Sequence, residues 1–234
     1  MSPEMPSLSR SVEDYLKAIY SACERGETAS TSTIAGILDV QPASVSGMIK
    51  RLADWGFVEH EPYRGVRLTQ TGTREALRII RRHRVLETYL SQRLGYSWDD
   101  VHEEAERLEH AASDDLIDRM AAAMEHPRHD PHGAPIPSST GEVEILNHPT
   151  LADVDAGALV RIQEVRDEDP ERLRYMEARG LMPGVYLSLE SRAPFNGPLS
   201  VRVGGVGGTP LTIGFDLARR IRVSVGETGA APPA

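Results

Sequence analysis

The sequence predicts a mainly α-helical chain with a small β domain near its C-terminal end. Three observations carry this. Apolar residues recur with a helical period up to about residue 124. Residues 126–150 then hold five prolines and no helical period. Beyond residue 159 short alternating runs with Gly-rich turns replace the helical pattern, as expected for a small β-barrel.

The elements follow in order. After a polar, Pro-containing start, Val12, Tyr15, Leu16, Ile19 and Tyr20 fall at i, i+3, i+4, i+7 and i+8, predicting a helix from Ser11 to Glu24 that ends at Gly26. A short helix fits Ser32 to Leu38. The turn Asp39-Val40-Gln41 leads to Pro42, well placed as the first residue of a third helix. That helix buries Val45, Ile49 and Leu52 and stops at Gly56. Phe57–His60 and Val66–Thr69, joined through Tyr63-Arg64-Gly65, read as a β-hairpin.

A long helix is expected from Thr71 to Leu94, with Leu77, Ile80, Leu86, Tyr89 and Leu90 as its stripe. Ser97, followed by Asp99 and Asp100, is an N-cap signal for a helix running to about Ala112. Ser113 with Asp114 and Asp115 repeats it before a helix ending near Met124. Strands are expected at 159–165, 185–189, 199–203 and 221–225, interrupted by a short helix around Pro170 to Arg179.

Composition narrows the function classes. The chain has 234 residues, 26 Lys+Arg against 35 Asp+Glu, a net charge of −9 and a single cysteine, Cys23. One cysteine excludes an intramolecular disulfide and a thiolate-rich zinc site. No apolar run approaches the ~18 residues of a membrane span, and no apolar signal segment is visible, so a cytoplasmic protein is expected. The acidic total argues against nucleic acid until it is divided. Residues 1–84 carry 12 basic and 10 acidic side chains, whereas residues 85–150 carry 4 and 14. The first segment can therefore meet phosphate, and the second is suited to cations.

Helix, three-residue turn, helix and hairpin over residues 32–69 match a winged helix-turn-helix. The exposed face of its third helix would present Gln41, Ala43, Ser44, Ser46, Gly47 and Lys50, small or polar side chains that permit close approach to base edges. Lys50 and Arg51 would neutralise phosphates, and Arg64 at the hairpin tip would reach phosphate or a minor groove.

In the acidic segment His102, Glu106, Glu109 and His110 fall within roughly 100° of one another on a helical wheel. The preceding helix offers His83 and Glu87 at i, i+4. So many carboxylates and imidazoles pointing one way repel each other unless a cation lies between them. Oxygen-rich sites with one or two imidazoles suit Mn(II) or Fe(II). A zinc hydrolase is the rival, but His102-Glu103-Glu104-Ala105-Glu106 lacks the second His of H-E-x-x-H. No nucleophile elbow, Walker loop or dinucleotide fingerprint is present, so the sequence reads as that of a non-enzyme.

At this point the sequence resembles the diphtheria-toxin-repressor family of metal-dependent transcriptional regulators, in its manganese-regulator branch. The resemblance rests on Val12-Glu13-Asp14-Tyr15-Leu16 with Ile19-Tyr20, Ser44-Val45-Ser46, Tyr63-Arg64-Gly65, Leu68-Thr69 and His83-Arg84. It continues in Val101-His102-Glu103-Glu104-Ala105, Glu109-His110 and Gly133-Ala134-Pro135-Ile136-Pro137. It implies a flexible arm at 1–9, the winged helix-turn-helix at 10–75 and a helical dimerisation and metal-binding domain at 76–137. A linker at 138–152, a Src-homology-3-like β-barrel at 153–226 and a disordered tail at 227–234 would follow.

The resemblance further implies a homodimer on double-stranded operator DNA, with two divalent ions per subunit, repressing metal-ion uptake genes. The primary site would use Asp14, Glu106, Glu109 and His110. A second site would draw on His83, Glu87 and His102, with His132 in Asp130-Pro131-His132-Gly133 and a third-domain ligand near Asp169, where Glu168 and Glu171 compete. Carboxylates at Asp14 and Glu106, where the iron-sensing branch holds Met and Cys, point to Mn(II). Lys17 stands where some manganese regulators carry a Glu that helps bind a paired ion, which argues against a closely spaced ion pair. Two other classes stay open: a metal-dependent hydrolase, and a metal-binding interaction protein without DNA binding.

Overall fold

The computed structural model describes residues 8–24, 29–61, 65–145 and 147–226. Most of the arm expected at 1–9, the wing residue Arg64 and the tail expected at 227–234 lie outside the described residues. In chain order the elements are α1 (Arg10–Glu24), α2 (Thr31–Leu38), α3 (Pro42–Asp54), β1 (Val58–Glu61), β2 (Gly65–Leu68), α4 (Gln70–Leu94), α5 (Val101–Leu108) and α6 (Asp114–Ala123). They continue with β3 (Leu159–Val165), α7 (Pro170–Ala178), β4 (Tyr186–Arg192), β5 (Leu199–Val203), β6 (Thr209–Ile213), α8 (Phe215–Ala218) and β7 (Ile221–Val225). They group into two compact units. One comprises Met1–His83, Glu106–Arg119 and Pro137–Val143; the other comprises Arg84–Ala105, Met120–Ile136 and Glu144–Ala234.

In the first unit, local chemistry sets each helix end. Ser30 caps α2, its hydroxyl accepting from Thr33 N at 3.1 Å, and Asp39 ends it in the left-handed region at φ 50°. Pro42 opens α3 at a position where no N–H is needed. One apolar cluster then joins Val12, Leu16 and Ile19 of α1, Ile34 of α2, Val45, Ile49 and Leu52 of α3, and Phe57, Val58 and Val66 of the hairpin. The hairpin is antiparallel, with Val58 opposite Leu68 and Glu61 opposite Gly65. Thr69 ties its base to the start of α4, donating to Gly56 O at 2.7 Å while accepting from Gly72 N at 3.1 Å. Gly72 is required there, since a Cβ would stand 2.0 Å from Phe57 O.

The second unit is built on a five-stranded antiparallel sheet in the order β6-β5-β4-β3-β7. Alternate residues Val160, Ile162, Leu187, Leu189, Leu199, Val201, Ile221 and Val223 face one core, with Leu173 and Met176 of α7. Strand β6 had no counterpart in the sequence reading. It carries Pro210, tolerated because β6 is an edge strand, and its outward face lacks the apolar alternation that reveals a strand. Helix α5 is also shorter than the cap signal at Ser97 suggests. Residues 98–100 form a turn before it, and Glu109 and His110 lie in the turn after Leu108, where Ala112 N bonds to Leu108 O. Among the described residues no helix is long and apolar enough to cross a membrane.

Candidate metal centre

In the first unit, Asp14 on α1 and Glu109 and His110 after α5 bring one ligand atom each within 4.8 Å of one another. The His110 ring is held by Glu13, whose Oε2 lies 2.6 Å from Nδ1. A carboxylate accepts, so Nδ1 carries the proton and Nε2 presents its lone pair, a tautomer assigned from this network. That lone pair faces Asp14 Oδ1 at 2.9 Å and Glu109 Oε1 at 3.4 Å. The Asp14 distance is short, yet Nε2 is a buried atom with no hydrogen-bond partner, because acceptor faces acceptor. Three lone-pair donors converge on one point, one of them, Glu109 Oε1, also accepting from Lys17 at 3.1 Å, and they form a chemical fit for a cation. The carboxylate behind the imidazole is the arrangement that orients a metal-binding histidine.

Glu109 is the fully buried member, with a side chain 0% exposed. Burial alone would raise its carboxyl. The hydrogen bond from His83 and the charge of Lys17 outweigh burial and hold it at about 2. His83 Nδ1 lies 2.6 Å from Glu109 Oε2, and Lys17 Nζ lies 2.9 Å and 3.1 Å from its two oxygens. Lys17 also bonds Glu106 Oε1 and stands 3.1 Å from His83 Nδ1. That nitrogen cannot both donate to Glu109 and accept from Lys17, and the shorter contact has His83 Nδ1–H donating to Glu109. Burial pushes the Lys17 ammonium down, and Glu109 and Glu106 more than offset it, so its proton is held above the ordinary lysine value. Asp14 shows the opposite balance. Burial raises its carboxyl, with Glu106 and Glu109 adding to the effect and His110 and Arg10 opposing it.

In the second unit Glu87, Asp130 and His132 form a similar group, again within 4.8 Å. His132 Nε2 lies 2.8 Å from Trp98 O, a carbonyl that only accepts, so Nδ1 presents the lone pair, 3.9 Å from Glu87 Oε1. His102 Nδ1 lies 3.2 Å from the same Glu87 oxygen. Asp130 Oδ1 accepts from His132 N at 2.8 Å and Ala134 N at 3.0 Å, shaping the loop. Burial, then the charge of Glu87, pushes the Asp130 carboxyl up to about 6 against the opposing charges of Arg84 and His132. Gly133 lets this loop lie on β3. Its φ is +89° and a Cβ would stand 1.9 Å from Gln163 O.

The remaining sequence-derived residues fall as follows. Glu106 meets Lys17 and sits 3.6 Å from His83 Nδ1. Asp169 caps α7, accepting from Glu171 N at 2.9 Å and Arg172 N at 3.4 Å, and pairs with Arg172; it is not among the grouped ligand atoms. Gln41, Ala43, Ser44, Ser46, Gly47, Lys50 and Arg51 are all exposed on or just before α3. The Arg51 guanidinium lies 4.9 Å over the Trp55 ring, a cation–π contact that orients it.

Glu13 and the Trp98 carbonyl, which set the two imidazole tautomers, had no place in the sequence reading. A signal existed for Glu13. It lies one helical turn from Leu16 and two from Tyr20, a charged residue next to the apolar stripe of α1. For a backbone carbonyl no side-chain pattern can give one.

Comparison with known proteins places this geometry. Residues 7–66 match the iron dependent repressor N-terminal DNA binding domain, 69–138 the iron dependent repressor metal binding and dimerisation domain, and 150–225 the FeoA domain. An uncharacterized HTH-type transcriptional regulator of Methanocaldococcus jannaschii is 38% identical over 119 residues, covering 50% of this chain and 95% of that protein. The chain belongs to the iron-dependent repressor family. The family's members are metal-dependent transcriptional repressors, and its DNA-binding and metal-binding segments each coincide with residues described above. The iron-dependent repressor IdeR of Mycobacterium tuberculosis is 34% identical over 166 residues, covering 71% of this chain and 70% of that one. A solved manganese-dependent transcriptional repressor in complex with manganese superposes with a TM-score of 0.86 at 38% identity, covering 92% and 99% of the two chains.

Proposed function

We propose that this chain is a metal-activated DNA-binding repressor that senses Mn(II), with Fe(II) as the competing ion, and controls metal-ion uptake genes as a homodimer. The observation that carries it is the buried Nε2 lone pair of His110 converging with Asp14 and Glu109. Carboxylate oxygen and imidazole nitrogen with no sulfur is a donor set for these hard to borderline ions. Glu87, Asp130, His132 and His102 are proposed as the second centre, giving two divalent ions per subunit.

Asp14 stands on α1, whose apolar face shares one core with α2 and α3. Glu109 and His110 stand in the segment that matches the metal binding and dimerisation domain. Asp14, Glu109 and His110 would hold a divalent ion, which would add positive charge among their carboxylates. Asp14 is then tethered rather than repelled, α1 is held, and the exposed face of α3 is held with it. In a dimer this orders two α3 helices for successive major-groove entries, about 34–36 Å apart.

The test is a titration against duplexes selected from a random pool in Mn(II), repeated without metal and with Fe(II), Co(II) and Zn(II). A gain of about 5–150-fold with Mn(II) is expected, the usual range of an allosteric coupling. Equal affinity in all conditions overturns the reading.

Gly47 offers a second check on the DNA face. A Cβ there would meet nothing within 4 Å in the free protein. Gly47→Ala is therefore expected to stabilise the fold by about 0.5–1 kcal/mol through helix propensity. If α3 enters a groove, the same methyl intrudes between backbone and base edges, and affinity should fall by about 1–3 kcal/mol, the scale of one spoiled base-pair contact. Thermal melts and DNA titrations of the same variant read the two signs.

A further inference from the structure

Glu13 holds the His110 imidazole, and Glu13 is held in turn. Its Oε2 accepts from His110 Nδ1 at 2.6 Å, and its Oε1 faces the Arg82 guanidinium, with Nη1 at 3.5 Å. Arg82 stands on α4, and its other nitrogens reach the start of α6. Nε lies 2.9 Å and Nη2 2.8 Å from Asp114 Oδ1. Arg82 and Glu13 are only 9% and 5% exposed. Charged side chains are seldom so enclosed, and a buried ion pair adds little stability that an apolar pair would not. What an apolar pair could not supply is direction. The planar guanidinium spans carboxylates on two helices, and each oxygen of Glu13 is left with its own partner.

We propose that Arg82 is a positioning residue for the centre at Asp14, Glu109 and His110, acting through Glu13 without being a ligand. The inference rests on the metal-binding reading above and adds to it a residue outside the ligand groups. Anchored on Asp114, the guanidinium takes Glu13 Oε1 and leaves Oε2 for His110. The ring then stays turned with Nε2 toward Asp14 and Glu109. Without Arg82, one oxygen of a buried carboxylate loses its partner, and Glu13 turns to other donors at the expense of the imidazole. Charge alone gives the opposite sign. Arg82 is a cation in the same interior, and its removal would favour a divalent ion nearby. The direction of the change therefore separates positioning from a simple field effect.

The experiment is Mn(II) titration of the full chain, followed by equilibrium dialysis and electron paramagnetic resonance, with circular dichroism to establish folding. Asp14→Ala marks which bound Mn(II) belongs to this centre. Arg82→Met should weaken that ion about 10–100-fold, the usual effect of losing a group behind a metal-binding histidine, and leave other bound Mn(II) unchanged. Arg82→Lys keeps the charge but not the planar fork, and should weaken the same ion to a smaller extent. In a Glu13→Gln background, Arg82→Met should add less than about twofold, because the path through Glu13 is already cut. Tighter or unchanged binding in Arg82→Met, or a full further loss in the Glu13→Gln background, overturns the assignment of Arg82 alone. Should Arg82→Met fail to fold, an unchanged affinity in Arg82→Lys overturns it. Absence of Mn(II) binding by the wild type would instead overturn the metal-binding reading and this inference with it.

Discussion

Asp14→Ala is expected to abolish the metal-dependent gain in DNA affinity while leaving the metal-free fold intact. Its carboxyl is raised above the ordinary value, first by burial and then by Glu106 and Glu109, so the folded protein keeps this charge at a cost. Removing a group held unfavourably does not destabilise. The metal-free melting midpoint should stay level or rise slightly. With Mn(II), by contrast, the variant lacks the one ligand of the group that lies on α1. The Mn(II)-dependent gain should shrink from the coupling expected of the wild type to less than about twofold. Binding isotherms with and without Mn(II), beside thermal melts, measure both halves. Unchanged activation would remove Asp14 from the centre. A large loss of metal-free stability would contradict the electrostatic account of its carboxyl.

Glu109→Ala should be far more damaging, because this side chain is fully buried in the fold as well as belonging to the proposed centre. It accepts from His83 and Lys17 with no exposure to solvent. Truncating it takes from Lys17 and His83 Nδ1 the buried carboxylate that both donate to. Removing one partner of a buried pair typically costs about 3–5 kcal/mol. The pH dependence gives an independent measure. A carboxyl depressed from 4.5 to about 2 stabilises the native state fully above the unfolded value, and that contribution is lost as pH falls from about 4.5 toward 2. On the order of 3 kcal/mol is at stake across that window. Urea unfolding of metal-free protein should therefore show stability falling steeply from about pH 4.5 downward. Glu109→Ala should start lower and show a shallower slope in the same window. Parallel slopes in wild type and variant would show that Glu109 is not the group being titrated.

What could be read along the chain was whatever local chemistry decides. The apolar spacing of α1, Pro42 at the first position of α3, the Gly56 stop and the alternation of β3, β5 and β7 all act between residues a few positions apart. The central acidic segment was equally legible as cation-binding, since the excess charge is visible without any fold. The same locality explains the misses. Pro210 and an exposed face hide β6, which exists because β5 offers it an edge. Glu109 and His110 looked like members of one helical face, whereas α5 stops at Leu108 and a turn carries them.

The amino-acid sequence by itself determined the repertoire: which residues can bind a cation, which helix can meet DNA, and where strands replace helices. Only the tertiary structure decided the partnerships. Glu13 and His110 are 97 positions apart, and Lys17 and Glu109 are 92 apart. No period links such positions, and only burial in a shared interior brings them within bonding distance. That interior also gives the pairs their weight. In water a lysine beside two glutamates is a weakly interacting surface group, whereas enclosed here it joins the hydrogen bond from His83 in holding the Glu109 carboxyl near 2.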